Sequence, residues 1–335
     1  MVRSASAFSP RGSGFSIALW AIAWIAGASS STAATFTSFD VPGMTYTAGN
    51  SINARGDVVG ACGDDEANQG FVRWADGTFT LFGWNTYTES INDDGVVIGT
   101  VLGRQGTDSG FVRATDGTIS TIRVPGSYKT DLVAINASGV IVGTYVNKQE
   151  GGLYGFIRTP DGQFQTFGVP GSEETLVAGI NQQGDVAGLY DDAEGLHGYL
   201  RTADGTFTTF DPPGSTRTDV RSINDRGFIV GDYVDATGTH GFQRAPDGTM
   251  TTFDIPNGAS TTVLTFINGR DLIVGWSVTG SALSAFTLTH RGKVGAIRVP
   301  KGHDDGVVPA ASNINGDITG GYYDAITEHG FIRSP

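Results

Sequence analysis

The chain has 335 residues, of which 16% are charged and 50 are glycine, and its formal net charge is −13. This acidic balance argues against nucleic-acid binding and against attachment to anionic membranes, because no basic surface is available to replace the counterions of phosphate groups. It is compatible with a soluble exported protein that contacts cations or neutral glycans.

Residues 1–34 have the composition of a secretory signal peptide. Arg3 and Arg11 are the only charged residues there, an apolar run from Phe15 to Ala28 follows, and small residues lead to Ala34. This order of segments is typical of a cleaved signal. The alternative is an uncleaved anchor, but the run is shorter than the roughly 20 apolar residues that span a bilayer. We therefore expect cleavage near Ala34, no membrane insertion, and a secreted or periplasmic protein.

Seven Ile-Asn pairs recur along the rest of the chain at intervals of roughly 39 to 47 residues, a period typical of stacked or radial repeats. The pairs are Ile52-Asn53, Ile91-Asn92, Ile135-Asn136, Ile180-Asn181, Ile223-Asn224, Ile267-Asn268 and Ile314-Asn315. Each repeat contains four short extended segments, which we label a to d. The separators are Asn-x-x-Gly, a variable loop, Asp-Gly and a Pro-containing connection, and Asp-Gly strongly favours a hairpin.

The arrangement of these segments predicts a closed seven-bladed β-propeller over residues 35–335. Segments a, b and c each occur seven times, but d follows only the first six c segments, and the chain ends at Pro335. The missing d segment is present at Thr35–Val41. We therefore predict four-stranded antiparallel blades, with the N-terminal strand pairing beside Gly330–Arg333 in the C-terminal blade. Such closure would hide two sheet edges.

The single cysteine, Cys62, excludes a disulfide within the chain. It occupies the position at which several other repeats have tyrosine, such as Tyr145 and Tyr233. We interpret it as a buried filler of the core and not as a nucleophile.

An arginine recurs two residues beyond the aromatic residue of segment c in six repeats. Five of these arginines are followed three residues later by aspartate, and the pairs are Arg73 and Asp76, Arg113 and Asp116, Arg158 and Asp161, Arg201 and Asp204, and Arg244 and Asp247. Because one ligand site does not need so many copies, we interpret the pairs as structural staples, with each arginine held by an aspartate of its own or a neighbouring turn.

Histidines and paired acids are the remaining candidates for chemistry. His197, His240 and His329 share one position in separate repeats, so they would not converge on one metal ion, and local hydrogen bonds are favoured. Acid pairs such as Asp191-Asp192 can serve glycoside hydrolysis or calcium binding, but none fits a calcium loop. No phosphate loop, zinc spacing or nucleophile elbow is present. We expect no metal and no cofactor.

The b–c and d–a connections vary between repeats and are predicted to share one face of the propeller, where binding usually evolves. On that face and near the axis, the candidate ligand-binding residues are Tyr87, Glu89, Asp131, Asp219, Arg221, His303 and Asp304. The alternative for each is a solvated loop residue without a ligand. Catalytic residues are not assigned by the sequence.

The repeat also resembles a known family. The phrase His240-Gly241-Phe242-Gln243-Arg244, followed by Asp247-Gly248-Thr249 and Phe253-Asp254, is similar to the repeat of a bacterial extracellular family named for His-Ala-Phe. The resemblance covers essentially all of residues 35–335, although glycine stands where the name has alanine and only three repeats keep the histidine. It implies an exported, propeller-forming repeat protein and carries no activity.

These patterns favour a non-enzymatic scaffold, a monomer that binds a glycan or a protein through the variable face. The alternative is a propeller enzyme, a glycan hydrolase or lyase with acidic residues near the central axis. A purely structural surface repeat is a third interpretation. An enzyme should concentrate charged and aromatic side chains in a pocket at the axis, and a scaffold should not.

Overall fold

The computed structural model describes residues 34–64, 67–255, 258–289, 292–299, 306–324 and 327–335. The predicted signal peptide lies outside these ranges. The described residues form 28 β-strands and one short 3-10 helix, Arg104–Gly106. No helix within the described ranges is long and apolar enough to cross a membrane. The prediction of an all-β chain is confirmed.

Consecutive strands pair in antiparallel meanders of four, in the order that the repeat predicts. In the first half of the chain the meanders contain β2 (Tyr46–Ile52), β3 (Val58–Gly63), β4 (Asn68–Arg73) and β5 (Phe79–Trp84); β6 (Thr86–Ile91), β7 (Val97–Val101), β8 (Ser109–Arg113) and β9 (Ile119–Ile122); and β10 (Ser127–Ile135), β11 (Ile141–Asn147), β12 (Leu153–Arg158) and β13 (Phe164–Phe167).

The second half of the chain repeats this arrangement. Its meanders contain β14 (Glu174–Ile180), β15 (Val186–Asp192), β16 (Gly195–Arg201) and β17 (Phe207–Phe210); β18 (Arg217–Ile223), β19 (Ile229–Asp235), β20 (Gly238–Arg244) and β21 (Met250–Phe253); β22 (Thr261–Ile267), β23 (Ile273–Thr279), β24 (Ala282–Leu288) and β25 (Val294–Ile297); and β26 (Val308–Ser312), β27 (Ile318–Tyr323) and β28 (Glu328–Ser334). Single parallel bridges, Tyr46 to Glu328 and Thr239 to Thr261, join two pairs of neighbouring meanders into eight-stranded sheets.

The N-terminal strand β1 (Thr35–Phe39) completes the C-terminal meander. It runs antiparallel to β28, with Phe39 opposite Gly330 and Thr35 opposite Ser334, as the sequence predicts. A Cβ atom at residue 330 would lie 2.3 Å from the Phe39 ring, so this close approach requires glycine. The Ser38 hydroxyl also bonds that of Tyr322 at 2.8 Å. The first and the last described strands, β1 and β28, are therefore held in one sheet.

Buried asparagine side chains connect neighbouring meanders. The Asn53 amide nitrogen Nδ2 donates to the Asn92 carbonyl at 3.2 Å, and its Oδ1 accepts from the backbone nitrogens of Arg55 and Asp57. Equivalent bonds between meanders, 2.7–3.3 Å long, run from Asn92 to Asn136, Asn136 to Asn181, Asn224 to Asn268, Asn268 to Asn313, and Asn313 to Asn53. We call these six bonds the asparagine ladder. Between Asn181 and Asn224, the Gln182 backbone nitrogen instead donates to Asp225 at 3.0 Å.

In the seventh repeat, the structure corrects the predicted position of the repeated asparagine. The sequence assigns Ile314-Asn315 to the repeated pair, but the structure places Asn313 in the ladder. Ser312 takes the position of the isoleucine, and Ile314 is exposed. The Ile-Asn pair of this repeat lies two residues downstream of the true position, Ser312-Asn313, and therefore produced the irregular last interval.

The repeated arginines pack against aromatic rings and not against the aspartates of their turns. The Arg201 guanidinium lies 5.1 Å from the Phe167 ring centre in the preceding meander, and Arg244 makes the same contact with Phe210. Asp204 instead accepts hydrogen bonds from Thr202 Oγ1 at 2.6 Å and from the Thr206 backbone at 3.0 Å. The staple hypothesis was therefore wrong about the partner, because the aspartate caps its own turn and the arginine connects meanders.

Double-mutant cycles separate these two pairings. We expect Arg201→Met and Phe167→Leu to couple by about 1 kcal/mol in the free energy of unfolding, the size of a partly buried cation–π contact. Arg201→Met and Asp204→Asn should show no resolvable coupling. Urea unfolding of the single and double variants measures both, and a coupling to Asp204 larger than that to Phe167 would contradict this arrangement.

Each of the three histidines lies between two carboxylates of its own meander. In the C-terminal meander, His329 Nδ1 is 2.8 Å from Asp40, just after β1, and Nε2 is 3.1 Å from Asp324. Two carboxylates facing both ring nitrogens require two N–H donors and hence an imidazolium. Burial lowers the pKa of His329, but hydrogen bonds and charge from Asp324 and Asp40 outweigh it, so that pKa is raised. His197 and His240 have equivalent carboxylate pairs and raised pKa values.

The His329 contact predicts pH-dependent attachment of β1. Because the folded-state pKa is raised above 6.5, its stabilisation is complete below that pH and is lost as pH rises through the raised value. We expect His329→Gln to destabilise the protein by about 1 kcal/mol near pH 5.5 and by much less near pH 9. It should also speed amide exchange in residues 35–39 at the lower pH.

The matched control is His240→Gln. The two carboxylates that His240 contacts, Asp254 and Asp235, belong to one continuous meander. This variant should lose similar stability and leave exchange in residues 35–39 unchanged. Equal exchange in both variants, or a stability loss that grows with pH, would refute the role of His329 in holding β1.

Candidate functional site

The first strand of every meander contains a β-bulge at the same position. The residues left out of the pairing with the second strand are Asn50, Glu89, Val133, Ala178, Arg221, Thr265 and Ala310. Each lies three residues before the asparagine that occupies the ladder position in its repeat. An extra residue in one strand locally twists it and re-aims a side chain. The repeat therefore presents one bulged residue from each meander in an equivalent place.

All seven bulged residues line one cavity with a volume of about 470 Å³. This size lies within the range of small-molecule sites. Ser51, Ser90 and Ser222 also line this cavity, which reaches the Asn-x-x-Gly turns at Asp93 and Asp225. The sequence favoured the opposite face, that of the variable loops, and did not single out this turn face.

Two of the bulged residues are charged, Glu89 and Arg221. Asn50 and Thr265 use their side chains to connect meanders, because Asn50 Nδ2 donates to the Thr88 carbonyl at 2.9 Å and Thr265 Oγ1 donates to that of Pro309 at 3.0 Å. The other three, Val133, Ala178 and Ala310, are apolar. The charged groups at the bulged positions are therefore one carboxyl group and one guanidinium group.

Glu89 is a carboxyl group whose surroundings favour its neutral form. Burial raises the pKa of Glu89, and the negative charge of Asp131 on the next meander raises it further. Asp131 itself is 3.0 Å from Lys129 Nζ, which is also 3.2 Å from Asp108. Burial raises the pKa of Asp131 and Lys129 opposes that rise. A carboxyl group with a raised pKa in a cavity is suited to general acid–base catalysis near neutral pH.

Arg221 is anchored at one end of its guanidinium group. Its Nε donates to Asp232 Oδ1 on β19 at 2.9 Å. Burial raises the pKa of Asp232, and the charge of Arg221 opposes that rise. A separate pair lies four residues earlier on β18, where Arg217 donates to both oxygens of Asp219 at 2.6 and 3.0 Å. Asp219 is therefore occupied by Arg217 and is not one of the residues that line the cavity.

The remaining sequence candidates have different surroundings. The Tyr87 hydroxyl accepts a hydrogen bond from Asn68, whose amide oxygen in turn accepts one from Tyr46. The pKa of Tyr46 is raised to about 12, mainly by burial and to a smaller extent by the nearby Tyr87. His303 and Asp304 lie outside the described residues. Among the described residues, no group of three acidic, histidine or cysteine side chains could hold a metal ion.

The structure thus brings Glu89 and Arg221 to one cavity, places Asp131 beside Glu89, and gives Tyr87 and Asp219 other partners. The sequence grouped all five because they lie at the start of segment a, near the predicted axis. The bulge then decides which of these side chains lines the cavity. Its sequence signal is the fixed offset of three residues before the ladder asparagine, which also identifies Asn50 and Thr265.

No family model matches the chain, and no curated protein sequence matches it. Solved structures do share the fold. Virginiamycin B lyase from Staphylococcus aureus is 16% identical, with a TM-score of 0.61 over 90% of this chain and 99% of that one. Oligogalacturonate lyase from Vibrio parahaemolyticus is 9% identical, with a TM-score of 0.58 over 90% and 97%.

A third neighbour is the β-propeller domain of the trilobed protease from Pyrococcus furiosus, described as having an open velcro topology. It is 10% identical, with a TM-score of 0.63 over 86% of this chain and 95% of that one. The shared architecture of these neighbours is the β-propeller. Structures similar to this chain include lyases, and by this finding the expectation of a non-enzymatic scaffold was wrong.

The electrostatic link between Asp131 and Glu89 can be measured directly. We expect Asp131→Asn to lower the pKa of Glu89, because it removes the neighbouring charge, and to leave that pKa above 4.5 because burial remains. Carbon-13 NMR titration of the Glu89 carboxyl group measures the change. Asp219→Asn serves as the control, since the Asp219 charge is already balanced by Arg217. If the pKa of Glu89 is unchanged in the Asp131→Asn variant, the coupling is disproved.

Proposed function

We propose that this protein is a carbohydrate lyase in which Glu89 transfers the proton. The observation that carries the proposal is a carboxyl group with a raised pKa, delivered by a bulge into a cavity of about 470 Å³. The similarity to propeller lyases supports the same reaction class. Ser51, Ser90 and Gln182 also line the cavity, and their side chains are of the kind that hydrogen-bond sugar hydroxyls.

In the proposed reaction, a Glu89 carboxylate oxygen takes the proton from a sugar carbon beside a carbonyl group. The electron pair of that C–H bond forms a carbon–carbon double bond as the neighbouring C–O bond breaks. The bonding electrons leave on the departing oxygen, which takes a proton from water. A raised pKa makes Glu89 a stronger base for this step than an ordinary carboxylate.

Hydrolysis is the second candidate, because a carboxyl group with a raised pKa also suits the general acid of a glycosidase. In that reaction a protonated Glu89 would donate its proton to the leaving oxygen. The products distinguish the two reactions, because only elimination creates an unsaturated sugar.

The frame that we propose for this site is a closed seven-bladed propeller. Its support is the pairing of β1 with β28, the seven bulged strands, and the ladder bond from Asn313 back to Asn53. The proposal includes export of a monomer after removal of residues 1–34, supported by the composition of that segment, and membership of the His-Ala-Phe repeat type, supported by the repeated phrase.

Activity assays on polysaccharides test the proposal. Purified protein is incubated with a panel of neutral and uronic-acid polysaccharides, and ultraviolet absorbance of unsaturated products is recorded beside new reducing ends. We expect Glu89→Gln to lower the rate at least about 100-fold, the usual contribution of general base catalysis. Activity should fall as pH is lowered through the raised pKa of Glu89, because the carboxylate form is the base.

Glu194→Gln is the matched control, since Glu194 is an exposed loop acid away from the cavity lining. It should retain wild-type activity. New reducing ends without absorbance would select hydrolysis instead, and full activity in Glu89→Gln would reject Glu89 as the proton-transfer group.

A further inference from the structure

We infer that Arg221 is the carboxylate-binding residue of the cavity, so that the substrate is a sugar acid. This inference rests on the proposed function and deepens it by naming the substrate class. It goes beyond the proton transfer by Glu89, because it concerns a different side chain, delivered by a different meander to the same cavity.

The geometry of Arg221 leaves donors available to a ligand. Only Nε is engaged, with Asp232 at 2.9 Å, and no other hydrogen bond or ion pair joins the guanidinium to the part of the chain that the structure describes. The side chain is 46% exposed although the strand around it is buried. The two terminal nitrogens therefore keep four N–H donors, arranged in the planar fork that matches a carboxylate.

Arg217, on the same strand, shows the contrasting arrangement. Its fork is already filled, because Nε and Nη2 both donate to Asp219. Arg217 is 52% exposed, close to the exposure of Arg221, but it does not line the cavity. Two arginines of equal charge on one strand thus differ in the property that matters, which is the number of donors left for a ligand.

Asp232 acts as a positioning residue in this arrangement. It is buried and is the cross-strand partner of Asp219, whose own charge is taken by Arg217. Asp232 is therefore the carboxylate available to Arg221, and it holds the guanidinium by its inner nitrogen only. A buried partner of this kind fixes the direction of the fork and reduces the entropy lost when a ligand binds.

Elimination supplies the chemical reason for a carboxylate in the substrate. A sugar C–H bond becomes acidic only beside a carbonyl group, and in a sugar acid that group is the carboxylate. Removing the proton places a second negative charge on the carboxylate oxygens, which an arginine fork can stabilise where charge develops. The same donors select sugar acids over neutral sugars, because a hydrogen bond from a guanidinium group to a carboxylate is charge-assisted and stronger than one to a neutral hydroxyl group.

Binding measurements in the Glu89→Gln background test this inference without turnover. The probes are glucuronate and galacturonate, and glucose and galactose are their neutral counterparts with a hydroxymethyl group in place of the carboxylate. Ligand-observed NMR gives the affinities. We expect the acids to bind at least about tenfold more tightly than the neutral sugars, the effect of one charge-assisted hydrogen bond.

Substitutions then assign that preference to Arg221. Arg221→Met should abolish it, Arg221→Lys should keep part of it because the charge remains without the fork, and Asp232→Asn should weaken it. In an otherwise unchanged chain, Asp232→Asn should raise KM for an acidic polysaccharide more than it lowers kcat. Arg217→Met should leave the preference intact, and circular dichroism confirms that each variant is folded.

A preference for the acids that survives in both folded Arg221 variants would overturn the inference. Equal binding of acids and neutral sugars, or no binding of either, would overturn it as well. None of these results bears on Glu89, because the polysaccharide assay with Glu89→Gln judges the proton transfer separately.

Discussion

The asparagine ladder is the constraint on which the rest of the structure depends. Each asparagine at the ladder position is buried, so its amide must be satisfied inside the protein. All of them except Asn181 bond both their own turn and the carbonyl of the next meander, as Asn53 does. A slip of one residue in a first strand would break both sets of bonds and turn the apolar residues to the wrong side. Because the register is fixed at the asparagine, the one surplus residue in the strand is expelled as a bulge three positions earlier.

This coupling explains how a repetitive fold can carry a single site. The ladder specifies where a bulged side chain will lie, but it does not specify which side chain that is. Five of the seven bulged positions carry uncharged residues, which are either apolar or connect neighbouring meanders. The other two are the charged residues Glu89 and Arg221. Their supporting partners, Asp131 and Asp232, come from other strands whose positions are equally fixed. Charged side chains are therefore placed in the cavity by substitution at repeated positions, without any change of backbone.

The periodicity of the sequence is strong enough to predict the meanders and the N-terminal strand. Asp-Gly and Asn-x-x-Gly turns recur in nearly every repeat, and the surplus d segment at Thr35 has only one vacant partner, beside β28. The asparagine was recognised as a turn residue, but its bond to the next meander depends on distances between repeats, which a sequence does not contain. For the same reason Arg201 was paired with Asp204, its neighbour in sequence, although Phe167 is its neighbour in space.

The candidate site was predicted in part. The position at the start of segment a selected both charged residues of the cavity, Glu89 and Arg221, but it also selected Tyr87 and Asp219, which have other partners. A bulge cannot be seen in one sequence unless an independent marker of register is available. The proposed function rests on the chemistry of the cavity and on similarity of fold, and neither is visible in the repeated phrase, so the sequence favoured a scaffold.

Thiol labelling of neighbouring positions on β10 tests most directly that the bulge delivers a side chain to the cavity. Val133 is the bulged residue and Leu132 beside it is buried, as is the native Cys62. In the folded protein, a small charged thiol reagent should modify the Val133→Cys variant rapidly and leave the wild type and the Leu132→Cys variant unreacted until they unfold. Labelling of Leu132→Cys at the rate of Val133→Cys or faster would contradict the account.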